Sequence, residues 1–435
     1  NLAVTKALNL TGGALANAGA YAGTATIAAG QAFTLDAALG GTVAVAGTLN
    51  TATGAAFTGA TVNVAAGATL DATGSAGLAI AGNSRLNLNG TAVTGAGNAL
   101  AIGATGTLQS TAGVVTGDLS LAGTFVAALG APGTLAAPNT AAELTVTGDA
   151  TLGGVLRLTS AGAAGAGSYR LVTAAGATTG AFASVAVQGI DNAALHQVVT
   201  TDAGVTRVDL FRLAATAETI PATVAFGNVR RGLDLTSTLT FTNAAAADGF
   251  SEQLVGTATG QGSGFAAVAA GAPGVVTFTL DRSTVGAKVG ASAVSLESVG
   301  VVGFANTVLR AGTVALSANV YDLALATLGA TSLTLGNVRV AGTAGFDVTN
   351  TVVTDAAFQD SLDVAATTAV GTLTLANPAN ILAGKTGNVV VTAATAGSLA
   401  GNVALALSSN ANGVADLTTT ALTGATVAVT GAAYD

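Results

Sequence analysis

Side chains that could perform catalysis are few in this sequence. Its 435 residues include one histidine, His196, and no cysteine. A nucleophilic relay or a zinc site built on histidine needs partner residues at a defined spacing. The surrounding segment NAALHQVV provides none of them. We therefore predict that His196 is an exposed or hydrogen-bonded strand residue and not a catalytic base or a metal ligand.

Carboxylates beside basic residues are the second candidates, because carbohydrate-cleaving enzymes use paired acids. In the N-terminal half these acids occur singly, and the nearby basic residues are arginines. Six of these acids lie between 118 and 209 near four arginines. The six acids are Asp118, Glu143, Asp149, Asp191, Asp202 and Asp209, and the arginines are Arg157, Arg170, Arg207 and Arg212. Exposed cross-strand ion pairs, each contributing less than about 1 kcal/mol, explain this scatter better than a catalytic cluster. We predict no catalytic residue, no metal site and no cofactor.

Two further charged segments lie in the second half of the chain. The pair Arg230 and Arg231 could mark a contact or a cleavage point, although such a pair beside a turn is usually a solvated corner. Asp248 and Glu252, in DGFSEQL, could bind a cation, although ordinary loop polarity is the default explanation. The net charge of -8, without a basic stripe, argues against a nucleic-acid partner.

The elements that position these side chains must be strands. Charged residues make up only 8% of the chain, and the first hundred residues contain only Lys6, Asp36, Asp71 and Arg85. A soluble helix needs a charged face opposite its apolar stripe, which this composition does not provide. Segments such as GTVAVAGTLN alternate with the period of two that is typical of strands. We predict an all-β chain, and we find no apolar run of about 18 residues that would predict a transmembrane helix.

A turn-and-strand phrase recurs in the N-terminal half. It ends at Leu49, Leu70, Leu86, Leu108 and Phe125. The intervals between these residues are similar but not equal. A mean period of about 19 residues suits one coil of a parallel β-helix, in which each coil buries its apolar face against the next. We predict such a solenoid, of about ten coils, over residues 1–213. A sandwich of antiparallel hairpins is the alternative.

Two consecutive phrases make this prediction more specific. LTVTGDATLGGVLRL covers 144–158, and GSYRLVTAAGATTGAFASV covers 167–185. Together they resemble the last coils of bacterial autotransporter passenger β-helices, in which a G-D-A-x-L-x-G strand phrase precedes a strand with tyrosine and a G-x-F turn. The resemblance implies export across an outer membrane and display outside a Gram-negative cell.

The C-terminal half contains an internal duplication. Its matching phrases are FGNVRRG at 226–232 with LGNVRVAG at 335–342, FTNAAAADGFSEQL at 241–254 with VTNTVVTDAAFQDSL at 348–362, 284–296 with 395–407, and NVYD with AAYD ending at Asp322 and Asp435. The four pairs occur in one order and at a nearly constant offset. We predict two immunoglobulin-like β-sandwich domains, at 220–322 and 328–435. They resemble the Ig-like repeats of bacterial choice-of-anchor D surface proteins.

The chain begins with NLAVTKALNL, an alternating segment that could pair with another sheet. Leu2, Val4, Leu8 and Leu10 fall on one face, which only Lys6 interrupts. We predict that this strand adds to a β-domain of a neighbouring molecule. The alternative is that the same residues form the first coil of the solenoid.

These features predict a non-enzymatic extracellular structural or adhesive protein of the bacterial cell surface. We expect it to associate with copies of itself into a filament or surface layer, with other surface proteins or glycans as further candidate partners. The alternative function is that of a secreted carbohydrate-active β-helix enzyme, a lyase or a hydrolase.

Overall fold

The computed structural model describes residues 8–10, 14–15, 22–190 and 195–435. Within these ranges the chain is built from strands, and its one helical element is a 3-10 turn at Ala356–Phe358. The described part of the chain contains no helix with the length and apolarity that a membrane span requires. The prediction of an all-β chain is confirmed.

The N-terminal half forms short strands separated by turns. They are β1 (Leu8–Leu10), β2 (Ala14–Leu15), β3 (Thr24–Ile27), β4 (Ala32–Leu35), β5 (Ala38–Leu39), β6 (Thr42–Val45), β7 (Thr48–Thr51), β8 (Ala56–Thr58), β9 (Thr61–Val64), β10 (Thr69–Ala72), β11 (Leu78–Ala81), β12 (Arg85–Leu88), β13 (Thr91–Thr94), β14 (Ala99–Ile102), β15 (Thr107–Ser110), β16 (Gly113–Thr116), β17 (Asp118–Leu121), β18 (Thr124–Leu129), β19 (Leu144–Val146), β20 (Ala150–Leu152), β21 (Val155–Ser160), β22 (Gly167–Ala174), β23 (Thr178–Gly180), β24 (Ser184–Gln188), β25 (Leu195–Asp202) and β26 (Val205–Arg212).

These strands form three sheets, which we call sheets 1, 2 and 3. Their orders are β1-β3-β6-β9-β12-β15-β18-β21-β24, β2-β4-β7-β10-β13-β16-β19-β22-β26-β25 and β5-β8-β11-β14-β17-β20-β23. Along most of the N-terminal half, successive strands lie in the three sheets in turn, and each pairs in parallel with the strand three places ahead. This is the connectivity of a parallel β-helix-like solenoid. The antiparallel-hairpin alternative is wrong for β6 to β18, all of which pair in parallel.

The recurring phrase marks coils only in part. Leu49 pairs with Leu70 in sheet 2, whereas Leu86, Leu108 and Phe125 follow one another in sheet 1. The short interval between Leu70 and Leu86 is therefore a step from one sheet to another, because similar phrases begin strands on two sides of a coil.

The length of a coil is not constant either, and one coil is much longer than the predicted mean of about 19 residues. The interval between the paired residues Thr124 and Val155 is nearly twice the interval between Leu108 and Phe125, which are also paired. The longer coil contains residues 130–143 as an added connection between β18 and β19.

Alternation along each strand places one set of side chains inside the solenoid. Leu108, Phe125 and Leu156 occupy paired positions on successive strands of sheet 1, and all three are fully buried. Leu152 of sheet 3 is only 4% exposed. Stacked aliphatic and aromatic side chains thus form a continuous core from Ala25 to Leu210.

The solenoid ends in an antiparallel hairpin. Strand β26 pairs antiparallel with β22 and with β25, and β25 forms the last strand of sheet 2. The region up to 213 is therefore not parallel throughout. Strand β26 of this hairpin covers the edge of β22, and its last residues, 211 and 212, lead towards the next part of the chain.

The second half contains longer strands. They are β27 (Thr223–Arg230), β28 (Leu235–Thr242), β29 (Gln253–Ala258), β30 (Gly262–Ser263), β31 (Phe265–Val268), β32 (Pro273–Leu280), β33 (Gly286–Val299), β34 (Thr307–Tyr321), β35 (Ala326–Leu328), β36 (Ser332–Arg339), β37 (Thr343–Asn350), β38 (Ser361–Thr368), β39 (Leu373–Ala376), β40 (Thr386–Ala393), β41 (Gly397–Ser398), β42 (Gly401–Asn410), β43 (Thr420–Ala421) and β44 (Ala425–Tyr434).

Strands β27 to β44 form two units with separate apolar cores. The first unit has sheets β27-β34-β33-β29-β31 and β28-β32-β30, and its core lies within 214–318. The second has sheets β35-β37-β40-β39 and β36-β44-β42-β38, and its core lies within 324–433. In each unit the first long strand pairs in parallel with the last, β27 with β34 and β36 with β44. The exact domain limits and the immunoglobulin-like classification remain predictions.

Candidate functional site

Asp118 and Asp149 have structural partners at one corner of the solenoid. Oδ1 of Asp118 accepts the N–H of Asp149 at 2.9 Å, and Oδ1 of Asp149 accepts the N–H of Ala177 at 2.7 Å. A Cβ at Gly148 would lie 2.0 Å from that oxygen of Asp118, so the glycine makes room for the carboxylate. The Gly-Asp phrase is therefore a turn that links one coil to the next.

The remaining acids of the solenoid do not gather into one site. Arg170 Nη1 lies 3.8 Å from Glu143 Oε1, and Arg207 Nε lies 3.1 Å from Asp209 Oδ2. Asp209 is buried and lies on the same strand as Arg207, so the prediction of exposed cross-strand ion pairs is wrong for this pair. Asp202 and Arg157 are exposed, and Asp191 lies outside the described residues. Across the described ranges, no three His, Cys, Asp or Glu residues are placed to hold a metal ion.

The charged residues that do gather lie where the solenoid meets the first sandwich unit. We call this contact the first junction. The N–H of Arg212 donates to the carbonyl of Phe250, and the N–H of Glu252 donates to the carbonyl of Arg212, both at 2.9 Å. The rings of Phe211 and Phe250 lie 5.8 Å apart. The end of β26 is thus bonded to the DGFSE segment as though to a neighbouring strand.

Glu252 is the buried centre of the first junction. Its Oε1 lies 2.6 Å from Nδ1 of His196 and accepts the N–H of Val301 at 3.1 Å. Its Oε2 accepts the hydroxyl of Ser298 at 2.6 Å. The His196 ring also stacks on Phe304 at 4.3 Å. The prediction of a hydrogen-bonded strand histidine is confirmed, and its partner belongs to the following unit.

A second charge pair lies at the rim of this junction. Arg212 Nη1 is 2.6 Å from Asp248 Oδ2, and the N–H of Phe250 donates to Asp248 Oδ1 at 3.0 Å. Partial burial would raise the pKa of Asp248, but the Arg212 guanidinium and the Phe250 amide together hold that pKa below its ordinary value. Both oxygens of Asp248 thus have protein partners.

The two sandwich units meet in the same way, at a contact that we call the second junction. The N–H of Asp322 donates to the carbonyl of Phe358 at 2.9 Å, and the N–H of Asp360 donates to the carbonyl of Asp322 at 3.1 Å. The rings of Tyr321 and Phe358 lie 5.4 Å apart. The two backbone hydrogen bonds of the first junction and its Phe211–Phe250 ring contact have their counterparts here.

Asp360 is the buried acid of the second junction. Its Oδ2 accepts the hydroxyl of Ser409 at 2.6 Å, and its Oδ1 lies 2.5 Å from Nη1 of Arg230. Arg231 Nε lies 2.9 Å from Asp322 Oδ1. Both arginines therefore make a contact, which is one of the two predicted possibilities. The alternative of a solvated corner is wrong for Arg230, whereas the Arg231 side chain remains 43% exposed.

An asparagine and a serine support the acid in both units. Asn243 Nδ2 donates to the carbonyl of Glu252 at 3.0 Å, and Asn350 Nδ2 donates to that of Asp360 at 2.8 Å. Each serine also accepts a backbone N–H that follows the incoming strand. These pairs are Ala214 with Ser298 at 2.7 Å and Ala324 with Ser409 at 2.9 Å. The two asparagines lie in the FTN and VTN phrases of the duplication. These phrases are the sequence signal for the hydrogen bonds around the two buried acids.

The segment proposed for self-association is described only in part. Leu8–Leu10 forms β1, which pairs in parallel with β3 of the same chain. Leu2 and Val4 lie outside the described residues. Pairing with a neighbouring molecule remains a prediction.

Comparisons with known proteins give no family for this chain. No family model and no curated protein matches it. Among solved structures, the CFA/I fimbrial adhesive subunit CfaE of enterotoxigenic Escherichia coli is similar over 50% of this chain and 99% of its own, at 9% identity and a TM-score of 0.22. Domains 4 and 5 of the S-layer protein SbsC match 39% of this chain and 88% of their own, at 11% identity and a TM-score of 0.18. An endo-fucoidan hydrolase of glycoside hydrolase family 107 matches 57% of this chain and 35% of its own, at 13% identity and a TM-score of 0.17. Likenesses this weak carry no argument about function.

Proposed function

We propose that this chain is a non-enzymatic extracellular structural or adhesive protein of a bacterial cell surface that assembles with copies of itself. The observation that supports the proposal is the repeated junction. In both junctions the last strand of one unit continues its backbone hydrogen bonds into a loop of the next. A chain built in this way presents its units as one connected body.

The buried acids strengthen this argument. Glu252 and Asp360 are each nearly inaccessible to water, and each faces a basic side chain of the preceding unit. Each of these contacts must break before the units can separate. Units joined only by a linker would move relative to one another by default. The junctions therefore favour a role in which fixed spacing and orientation matter, such as support or adhesion.

We infer further that the two C-terminal units are immunoglobulin-like sandwiches and that the solenoid is of the autotransporter passenger type. Two facing sheets in each unit and a repeat of about 110 residues support the first assignment. The Gly-Asp corner at Asp118 and Asp149 supports the autotransporter assignment. In the structure this corner gives the G-D-A-x-L-x-G phrase, on which the resemblance rests, a role in linking coils. Display outside a Gram-negative cell follows from that type.

Electron microscopy of the purified chain tests the assembly, with a variant that lacks residues 1–10 as the matched comparison. We expect filaments or ordered layers from the full chain and dispersed particles from the variant, because the deleted strand supplies the contact. A full chain that stays monomeric at high concentration would overturn self-association. Release of reducing or unsaturated ends from polysaccharides by the same preparation would overturn the non-enzymatic proposal and favour the lyase or hydrolase.

A further inference from the structure

The first sandwich unit presents a defined set of residues to the second. Asn228 Nδ2 donates to the carbonyl of Ala415 at 3.2 Å, and Arg230 Nη2 donates to that of Thr418 at 3.2 Å. Arg230 also faces the buried Asp360. Together with Tyr321 and Asp322, these residues form what we call the donor face of the first unit. Its counterpart is the loop that runs from Phe358 to Asp360, which we call the acceptor loop.

The second unit repeats the donor face. In the aligned phrases of the duplication, Asn337 corresponds to Asn228 and Arg339 to Arg230. Likewise, Tyr434 corresponds to Tyr321 and Asp435 to Asp322. The backbone register repeats as well, because Arg230 lies opposite Tyr321 in the β27–β34 pair and Arg339 lies opposite Tyr434 in the β36–β44 pair.

The two donor faces differ in what covers them. Asp322 is 3% exposed beneath the second unit, whereas Asp435 is exposed. Tyr434 is 56% exposed, while Tyr321 is half-buried against Phe358. Nη1 of Arg339 donates to the main-chain oxygen of Asp435 at 3.1 Å, and within the described ranges no side-chain carboxylate pairs with the charge of Arg339.

We propose that the face formed by Asn337, Arg339, Tyr434 and Asp435 binds a further β-sandwich unit whose acceptor loop has the aromatic-x-acid pattern of Phe358–Asp360. The recognising chemistry is that of the second junction: an arginine for a buried carboxylate, a tyrosine for an aromatic ring, and a strand end for backbone groups. One position departs from the pattern, since Val340 stands where the first unit has Arg231. The contact therefore lacks the second arginine pair.

A second copy of this chain does not fit as the occupant. The acceptor loops of both its sandwich units are already bonded, one to Arg212 and the other to Asp322. The partner must therefore bring an acceptor loop that is free. This inference does not depend on the proposed surface role, and its failure would leave that role unchanged.

A chain extended after Asp435 by a second copy of residues 323–435 tests the inference. Its new connection, from Asp435 to Leu323, reproduces the native step from Asp322 to Leu323. The measurement is nitration of tyrosines, read by mass spectrometry. In the unextended chain we expect Tyr434 to react readily and Tyr169, which is 1% exposed, to stay unmodified. In the extended chain the reactivity of Tyr434 should fall to that of Tyr321.

Variants of the added copy separate a specific contact from simple proximity. The change Asp360→Ala in that copy should restore the reactivity of Tyr434, because it removes the partner of Arg339. The change Asp347→Ala, at an exposed strand position, should leave Tyr434 protected.

Three results would overturn the inference. The first is a Tyr434 that stays fully reactive beside a folded added unit. The second is failure of the added unit to fold, because the same residues fold behind Tyr321 and Asp322. The third is protection of Tyr434 that rises with the concentration of the unextended chain, since a second copy would then be the occupant.

Discussion

Replacing Arg230 by alanine should weaken the second junction. The Asp360 side chain is 1% exposed, so removal of the arginine leaves a buried charge whose strongest remaining partner is Ser409. Breaking a fully buried ion pair typically costs about 3 to 5 kcal/mol. The side chain of Arg230 is 22% exposed, so water can partly replace it. We therefore expect a loss at the lower end of that range, about 3 kcal/mol.

Hydrogen exchange measures this loss at the contact itself. The amide of Asp360 donates to the carbonyl of Asp322 across the junction, so its exchange reports separation of the units. The amide of Val391, inside a strand pair of the second unit, serves as the internal reference. We expect Arg230→Ala to speed exchange at Asp360 by about a hundredfold, the equivalent of about 3 kcal/mol, and to leave Val391 unchanged.

The matched control is Arg157→Ala, which removes an exposed arginine from the solenoid. It should change stability by less than about 0.5 kcal/mol. If Arg230→Ala has an equally small effect at Asp360, the pair does not hold the units together and the reasoning fails. The double change Arg230→Met with Asp360→Leu gives a further check. It should recover much of the loss, because it removes both charges from the buried site.

Three further changes test other parts of the fold. Leu156→Asp should lower the free energy of unfolding by about 4 kcal/mol or more, because an unpaired charge would enter the apolar core, and an unchanged melting temperature would refute its inward register. Asp149→Ala should cost about 1 kcal/mol and speed exchange of the Ala177 amide that it binds, while an unchanged rate there would refute the corner contact. Because the pKa of Asp248 is lower in the folded chain than in the unfolded chain, its ionised carboxylate stabilises the fold. This stabilisation is complete above the unfolded-state pKa of about 3.9 and is lost as pH falls through the folded-state pKa. The protection factor of the Arg212 amide, which corrects for the intrinsic pH dependence of exchange, should therefore fall in acid, and Asp248→Asn should flatten that dependence; an identical pH profile in the variant would contradict the assignment.

The solenoid could be predicted from sequence because its coils repeat a local rule. Inward side chains recur every second residue, and turns bounded by glycine separate the strands, so the phrase correctly places Leu108 and Phe125 one coil apart. The phase of the repeat could not be predicted, because the phrases at Leu70 and Leu86 are alike although they lie in different sheets. A short phrase specifies a strand and its preceding turn. Which side of the coil that strand occupies depends on pairing with strands farther along the chain.

The junctions could not be found from spacing alone. His196 and Glu252 are far apart in sequence, and the two belong to units with different folds. Asp248 and Glu252 resemble ordinary loop residues because nothing near them in sequence indicates burial. The signal was present in the duplication, which aligns Glu252 with Asp360 and Asn243 with Asn350. An acid and an asparagine that occur in both copies suggest a buried structural role more strongly than a cation site.

In both junctions the following unit supplies the same kinds of residue, whereas the preceding unit does not. The accepting unit supplies an aromatic residue, a buried acid and a supporting serine in both cases. The preceding unit supplies the basic side chain from unrelated positions, His196 in an antiparallel hairpin and Arg230 in a strand that pairs in parallel. A solenoid and a sandwich can therefore precede the same kind of unit, provided that each brings a strand end and a basic side chain to the buried acid. The following unit thus supplies the same residues in both junctions, whereas the preceding unit supplies its basic side chain from a different position in each. This explains how one repeated unit can follow two different folds in the same chain.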